Sequence, residues 1–337
     1  MNIIVVDEKS SGALETVLEK SVGKLIKDVR DAGGSLNEIV KLTVFLKTDD
    51  TNEISALKTE LAELLKKEFG QYMPAYTVLG QPSLSGSDIL LEAIFLDRGS
   101  KLKVDRNMFN KQSYVVISSG KGSSRLIVSG GLSSPGGDDI VFECQRVLDL
   151  AEQLLLKEDL DFSGITDQRN YIPMPHAKSR YGNSDTKNIS IFENIRNLYY
   201  DPEMFKGKSL PAFAAVGIRG GSVTVDLTAL AERLPGDAAS PDDDMSLTGL
   251  FTAGEIDGAG GMSVEEQAKA MIKSITEKLS LPPDAGGLTY LRVYLKNEND
   301  LPLVKNVISK NISAGNIVYL KADMHDENLR VFMEAVR

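Results

Sequence analysis

Cysteine and histidine are scarce in this chain, and basic charge is outnumbered. One cysteine and two histidines occur in 337 residues, and 38 Lys and Arg face 48 Asp and Glu, for a formal net charge of −10. A single cysteine excludes a disulfide within the chain, which fits a reducing compartment. Cys144 falls in the apolar periodicity of Ile140, Val141, Val147, Leu148 and Ala151 and reads as a buried structural thiol. A reactive thiol needs an electropositive, exposed setting instead. His176 and His325 stand far apart in loops and give neither zinc spacing nor a Ser-His-Asp pattern, so no metal and no cofactor is implied. The acidic balance disfavours nucleic acid, whose binding rests on neutralising phosphates. No run of about eighteen apolar residues exists, so no membrane span is expected. The first seven residues lack the basic flank and long apolar region of a signal peptide and read as a strand, which makes a cytoplasmic protein the expectation. The glycine-rich stretch 119–124 lacks Walker spacing and leads into a strand, which makes it a turn rather than a phosphate loop.

What is present is ordinary globular material, 42% hydrophobic and 26% charged, arranged in a repeated order of β, α, β, α, β, β. In the first repeat, residues 13–32 form a helix with Leu14, Val17, Leu18, Val22 and Leu25 on one face, ended by Gly33-Gly34. A strand at 39–46 precedes a helix at 54–69, which turns Leu57, Leu61, Leu64 and Leu65 inward and Lys58, Glu60, Lys66 and Lys67 outward. Strands 75–79 and 89–95 read as a hairpin around the polar loop 82–87. A polar bridge, 98–112, leads to a second hairpin, 114–118 with 125–129. A helix capped by Asp139 follows, then a strand at 165–172, an insertion at 173–190, a helix at 191–200 and strands at 213–218 and 222–227. An acidic linker, 235–244, opens the third repeat. There a strand at 247–253 is followed by a helix whose Ser263 and Glu266 form a capping box. A strand at 288–295 and a helix with Pro302 in its first turn come next, and 317–322 and 329–336 read as a hairpin around a loop holding His325. Val44-Phe45-Leu46-Lys47 is echoed by Val293-Tyr294-Leu295-Lys296, and Leu90 to Ile94 by Phe332 to Val336. The expected fold is α+β, with units at 1–97, 98–234 and 235–337. Each has a mixed sheet with two helices on one face, and the three bare faces bury one another in a barrel-like centre.

Val40 to Lys47, Met73-Pro74-Ala75 and Leu90 to Ile94 resemble the YjgF/RidA family, whose members are small proteins that usually trimerise around inter-subunit clefts. Gln168-Arg169-Asn170-Tyr171-Ile172-Pro173, Phe192-Glu193-Asn194-Ile195-Arg196, residues 211–217, Leu291 to Tyr294 and Tyr319 to Met324 resemble, in that order, the chorismatase family, whose fold is a pseudo-trimer of RidA-like units. The resemblance implies a monomeric intrachain pseudo-trimer that acts on a small carboxylated metabolite, by enol-ether hydrolysis or a related reaction, in an inter-unit cleft. On that resemblance Glu334 is the general acid; its apolar strand neighbours would raise its pKa. Glu92 is its counterpart in the first unit, and Arg196 is the carboxylate anchor. Tyr171, Arg180, Tyr181 and Lys321 are further candidate ligand contacts. The sequence departs from the families at several points. RidA deaminases place an arginine after Pro-Ala, where Tyr76 and Phe213 stand here. Chorismatases have Glu-x-Glu on the last strand, where this chain has Phe332 and Glu334, and a Tyr-Gly-Pro-x-Ser segment that is missing here. These departures favour the alternative of a non-catalytic ligand-binding protein.

Overall fold

The computed structural model describes all residues except 10, 11, 98, 119–123, 135–138, 206–209, 212, 232–250, 257, 282–286 and 337. The acidic linker at 235–244, most of the glycine-rich turn and the start of the 247–253 strand therefore lie outside the described residues. What is described is a mixed helix–sheet protein. Its first sheet is built from β1 (Asn2–Glu8), β2 (Ile39–Leu46), β3 (Ala75–Gly80) and β4 (Ile89–Phe95), with α1 (Leu14–Asp31) and α2 (Thr51–Phe69) on one face. Asp50 starts α2 by accepting hydrogen bonds from the Asn52 and Glu53 amides. The second sheet holds β5 (Lys103–Phe109), β6 (Gln112–Ser118), β7 (Arg125–Ser133), β8 (Ile165–Pro173), β11 (Ala214–Ile218) and β12 (Thr224–Ala231). Its helices are α3 (Ile140–Lys157) and α4 (Asn188–Tyr199), followed by the short α5 (Pro202–Phe205), and β9 (Lys178–Tyr181) pairs with β10 (Ser184–Lys187) in a separate hairpin. The third contains β13 (Thr252–Ala253), β14 (Leu288–Leu295), β15 (Ala314–Lys321) and β16 (Val331–Val336), with α6 (Val264–Lys278) and α7 (Leu301–Asn311). The capping box of Ser263 and Glu266 at the start of α6 is present.

Strand order is the same in all three sheets. It runs β1-β4-β2-β3 in the first and β13-β16-β14-β15 in the third. In the second it runs β7-β12-β8-β11, with β6 and β5 added beyond β7. Two of the expected hairpins are therefore corrected. β3 and β4 are not partners, because β2 lies between them, and β14 lies in the same way between β15 and β16. β11 and β12 are likewise separated by β8. In each sheet the last strand moves to the middle, where it is antiparallel to both neighbours. Both edges of its apolar backbone are then hydrogen-bonded, which an edge position would not allow. The polar bridge at 98–112 contains β5, which pairs with β6, and the insertion at 173–190 contains the β9–β10 hairpin.

Faces turned away from the helices meet in one apolar cluster that includes Phe45 and Leu90, Val128 and Val216, and Tyr294 and Val331. Glycine allows the sheets to approach this closely. Gly131, at φ +65°, lies over β3, where an added Cβ would come within 2.6 Å of the Tyr76 carbonyl oxygen. Gly220 bridges to Gly80, and its Cβ would meet the Asp49 carbonyl oxygen at 2.4 Å. Among the described residues no helix is long and apolar enough to cross a membrane.

Candidate functional site

Where the three sheets face one another, their apolar strands place charges in the interior. Opposite one another in register stand Thr43 and Glu92, Arg169 and Asp226, and Arg292 and Glu334. Each acid is met by a cation from another sheet. Lys41 Nζ lies 2.5 Å from Asp226, Arg169 Nε donates to Glu334 at 2.5 Å, and Arg292 donates to Glu92. The cations come from the first, second and third sheets in turn, and the acids from the second, third and first, so the pairs close a cycle. Arg292 also reaches Glu334 at 2.9 Å, and Arg169 reaches Asp167 at 2.8 Å. Phe251 stacks against both guanidinium groups, 3.8 Å from Arg169 and 4.7 Å from Arg292. Asp226 also accepts from the Thr77 hydroxyl and the Gly131 amide. Burial works against the charged form of this carboxylate, but Lys41 and these two donors outweigh it and hold the pKa below the usual range.

The sequence candidates divide between this centre and the surface. Glu334 is 0% exposed. Burial raises its pKa, but Arg169 and Arg292 together overcome that and hold it below the usual carboxylate range. It is the buried counter-ion of Arg169 and Arg292, so the expectation that its apolar surroundings raise its pKa is corrected. Glu92 is the acid that burial does push up, against the pull of Arg292, and it also accepts from the Tyr290 hydroxyl. Tyr171 is buried beside Arg169 on β8, with a hydroxyl that has no partner among the described residues. Arg196 is buried elsewhere. Its guanidinium lies over Tyr200 at 4.0 Å and donates to the Pro211 carbonyl at 3.1 Å. A chain of contacts through Phe213, His325, Phe332 and Tyr294 links Arg196 to Glu334. Arg180 is 66% exposed on β9, 4.0 Å from Asp185, beside an open groove of about 540 Å³. Tyr181 packs half-buried against the second sheet's helix layer. Lys321 points its amine toward Glu298 at 3.5 Å on the surface. His176 is 3.7 Å from Glu327, and burial lowers the pKa of His325. Cys144 is buried, and burial raises its thiol pKa.

A cleft with unspent polar groups lies between the first and second sheets, at residues for which the sequence gives little site signal. α2 turns Thr51, Ser55 and Lys58 into a cavity of about 310 Å³, closed on its other sides by Tyr76 of β3, Gln112 of β6 and Ser133 of β7. Positions 51, 55 and 58 share one helix face through the i, i+4, i+7 spacing. Lys58 is thus outward from its own sheet yet covered by the next one. Its amine donates to Ser133 Oγ at 2.8 Å, its one partner among the described residues. Burial depresses the Lys58 pKa, and the charge of Asp226 opposes this only in part. Ser134 Oγ and Gln112 Oε1, which line the same cavity, are buried without partners among the described residues. The turn that presents Gln112 is Asn110-Lys111, with φ of +47° and +66° at two non-glycine residues. Buried polar groups are normally satisfied, so a cluster of unsatisfied ones around a cavity makes this a candidate ligand site. Its signal in the sequence was slight: one lysine on the rim of an amphipathic helix.

No protein-family profile matches the sequence, and no curated protein is similar to it. The fold defines the class. A solved chorismatase structure matches 99% of this chain and 98% of its own at a TM-score of 0.59 and 14% identity. The chain therefore has the chorismatase fold. A YjgF-family protein from Neisseria meningitidis matches 40% of this chain and 98% of its own, at a TM-score of 0.28 and 15% identity. A cyanuric acid hydrolase from A. caulinodans matches 100% of this chain and 99% of its own, at a TM-score of 0.45 and 9% identity.

Proposed function

We propose that this protein is an intrachain pseudo-trimer of three RidA-like units, at 1–97, 98–234 and 235–337. In this reading it is a cytoplasmic monomer that takes a small carboxylated metabolite in the cleft between units one and two. The shared strand order and the cyclic pairing of cations and acids support the pseudo-trimer. One observation supports the ligand class: Lys58 brings an amine into a cleft where its only described partner is a neutral hydroxyl. A carboxylate supplies the counter-charge that the cleft lacks, in a charge-assisted hydrogen bond of about 1.5–3 kcal/mol. Calorimetric titration with small mono- and dicarboxylates tests this. Binding is expected, with at least a tenfold loss in Lys58→Met. If none of the panel binds or raises the melting temperature, the proposal fails.

A second reading adds catalysis of the chorismatase type, favoured by the whole-chain likeness to that structure. In it the Lys58 ammonium, whose hold on the proton burial weakens, protonates the methylene carbon of the enol ether in place of Glu334. Solvent water adds to the resulting oxocarbenium carbon, and the hemiketal breaks down to pyruvate and the alcohol. Pyruvate release from chorismate, followed by a coupled lactate dehydrogenase assay, is then lost in Lys58→Met and retained in folded Glu334→Gln. Absence of pyruvate from the unaltered protein, with carboxylate binding intact, leaves the binding protein as the function.

A further inference from the structure

The cleft holds more unspent chemistry than a carboxylate consumes. Gln112 lies at the start of β6, directly after the Asn110-Lys111 turn, and its side-chain carbonyl is buried with no donor in reach among the described residues. A buried acceptor left unmade costs about 1–3 kcal/mol. Ser134 Oγ is in the same condition on the second-sheet side of the cavity. A primary amide has both a donor and an acceptor, and the group that satisfies both ends at once is another amide. The tight turn holds Gln112 in place. Asn tolerates a left-handed conformation, but Lys111 at φ +66° is strained by on the order of 1–2 kcal/mol. Sparsely populated backbone of this kind gathers at ligand sites.

We propose that the ligand of this cleft is a carboxylic acid that also carries a carboxamide, with the carboxylate on Lys58 and the amide paired with Gln112 and Ser134. This rests on the reading of the cleft as a carboxylate site. Titration of the full chain with butyrate, 4-hydroxybutyrate and succinamate separates the two ideas. Succinamate is expected to bind at least tenfold tighter than either of the others, the equivalent of about 1.4 kcal/mol. In Gln112→Leu the ratio of succinamate to butyrate affinity is expected to fall to near one. Equal binding of all three acids, each lost in Lys58→Met, overturns the amide and leaves the carboxylate site standing. A match between 4-hydroxybutyrate and succinamate also overturns it, because any hydroxyl donor then suffices. Binding by none of the three overturns both.

Discussion

Glu334 and Lys58 exchange the places the sequence suggests for them. A lone glutamate on an apolar strand invites the role of a proton donor, and a lysine on the outer side of an amphipathic helix invites none. Periodicity sorts side chains against their own sheet and has no information on which neighbour covers the rest. Arg169 and Arg292 neutralise Glu334, while Ser133 and the cavity wall enclose Lys58. Removing one partner of a buried ion pair leaves the other uncompensated, at about 3–5 kcal/mol. Glu334→Gln is accordingly expected to lower unfolding stability by that order in urea titrations, without weakening carboxylate binding in the molecules that remain folded. Lys58 makes its own pH prediction. Its folded pKa lies below the ordinary lysine value of about 10.4, and only the protonated amine holds a carboxylate. Affinity should fall as pH rises through the lowered value. A dissociation constant flat to beyond pH 10 would remove Lys58 from the site.

At the level of elements, the helices and most strands were legible because their signals are local. α1 ends at Asp31 just before Gly33-Gly34, α2 starts at its Asp50 cap, and α6 starts at its capping box. Partnership between strands is not local. Sequence neighbours such as β3 and β4 look like hairpins, yet β4 gains two antiparallel edges by moving between β1 and β2. β5 reads in the sequence as a polar bridge because its side chains are mostly half-exposed, with no buried stripe to mark it. Two substitutions test these elements. Ser263→Ala removes the oxygen that receives the Glu266 amide and should cost about 1 kcal/mol. Lys111→Gly turns the β5–β6 connection into Asn-Gly, the preferred pair for a two-residue hairpin turn, and should stabilise the fold by on the order of 1 kcal/mol. Thermal unfolding measures both.

At the scale of the whole molecule, the network where the three sheets meet holds three cations (Lys41, Arg169, Arg292) and four acids (Glu92, Asp167, Asp226, Glu334). One acid charge is in excess. Burial raises the pKa of Glu92 and of Asp167. The pH dependence of stability follows. Asp226 and Glu334 have lowered folded pKa values, so their contribution is complete above the unfolded carboxylate range near about 4 and is lost as pH falls through the lowered values. Glu92 and Asp167 have raised values, so their contribution is present in acid and is lost as pH rises through them. Stability should peak between the two, and Glu334→Gln should flatten the acid side. An unchanged acid slope in that variant would mean the centre is not the source. Three sheets locked through one centre should also unfold together, with near-ultraviolet and far-ultraviolet dichroism giving one midpoint.

The cyclic pairing also bears on synthesis. Arg292 lies 200 residues beyond Glu92, and a ribosome adds about 5–20 residues per second. For roughly ten to forty seconds the first sheet exists with Glu92 exposed and its bare face uncovered. A nascent chain stalled after β12 has Lys41 and Asp226 to pair but nothing to close the circle, which makes that interval the one in which this protein most needs a chaperone.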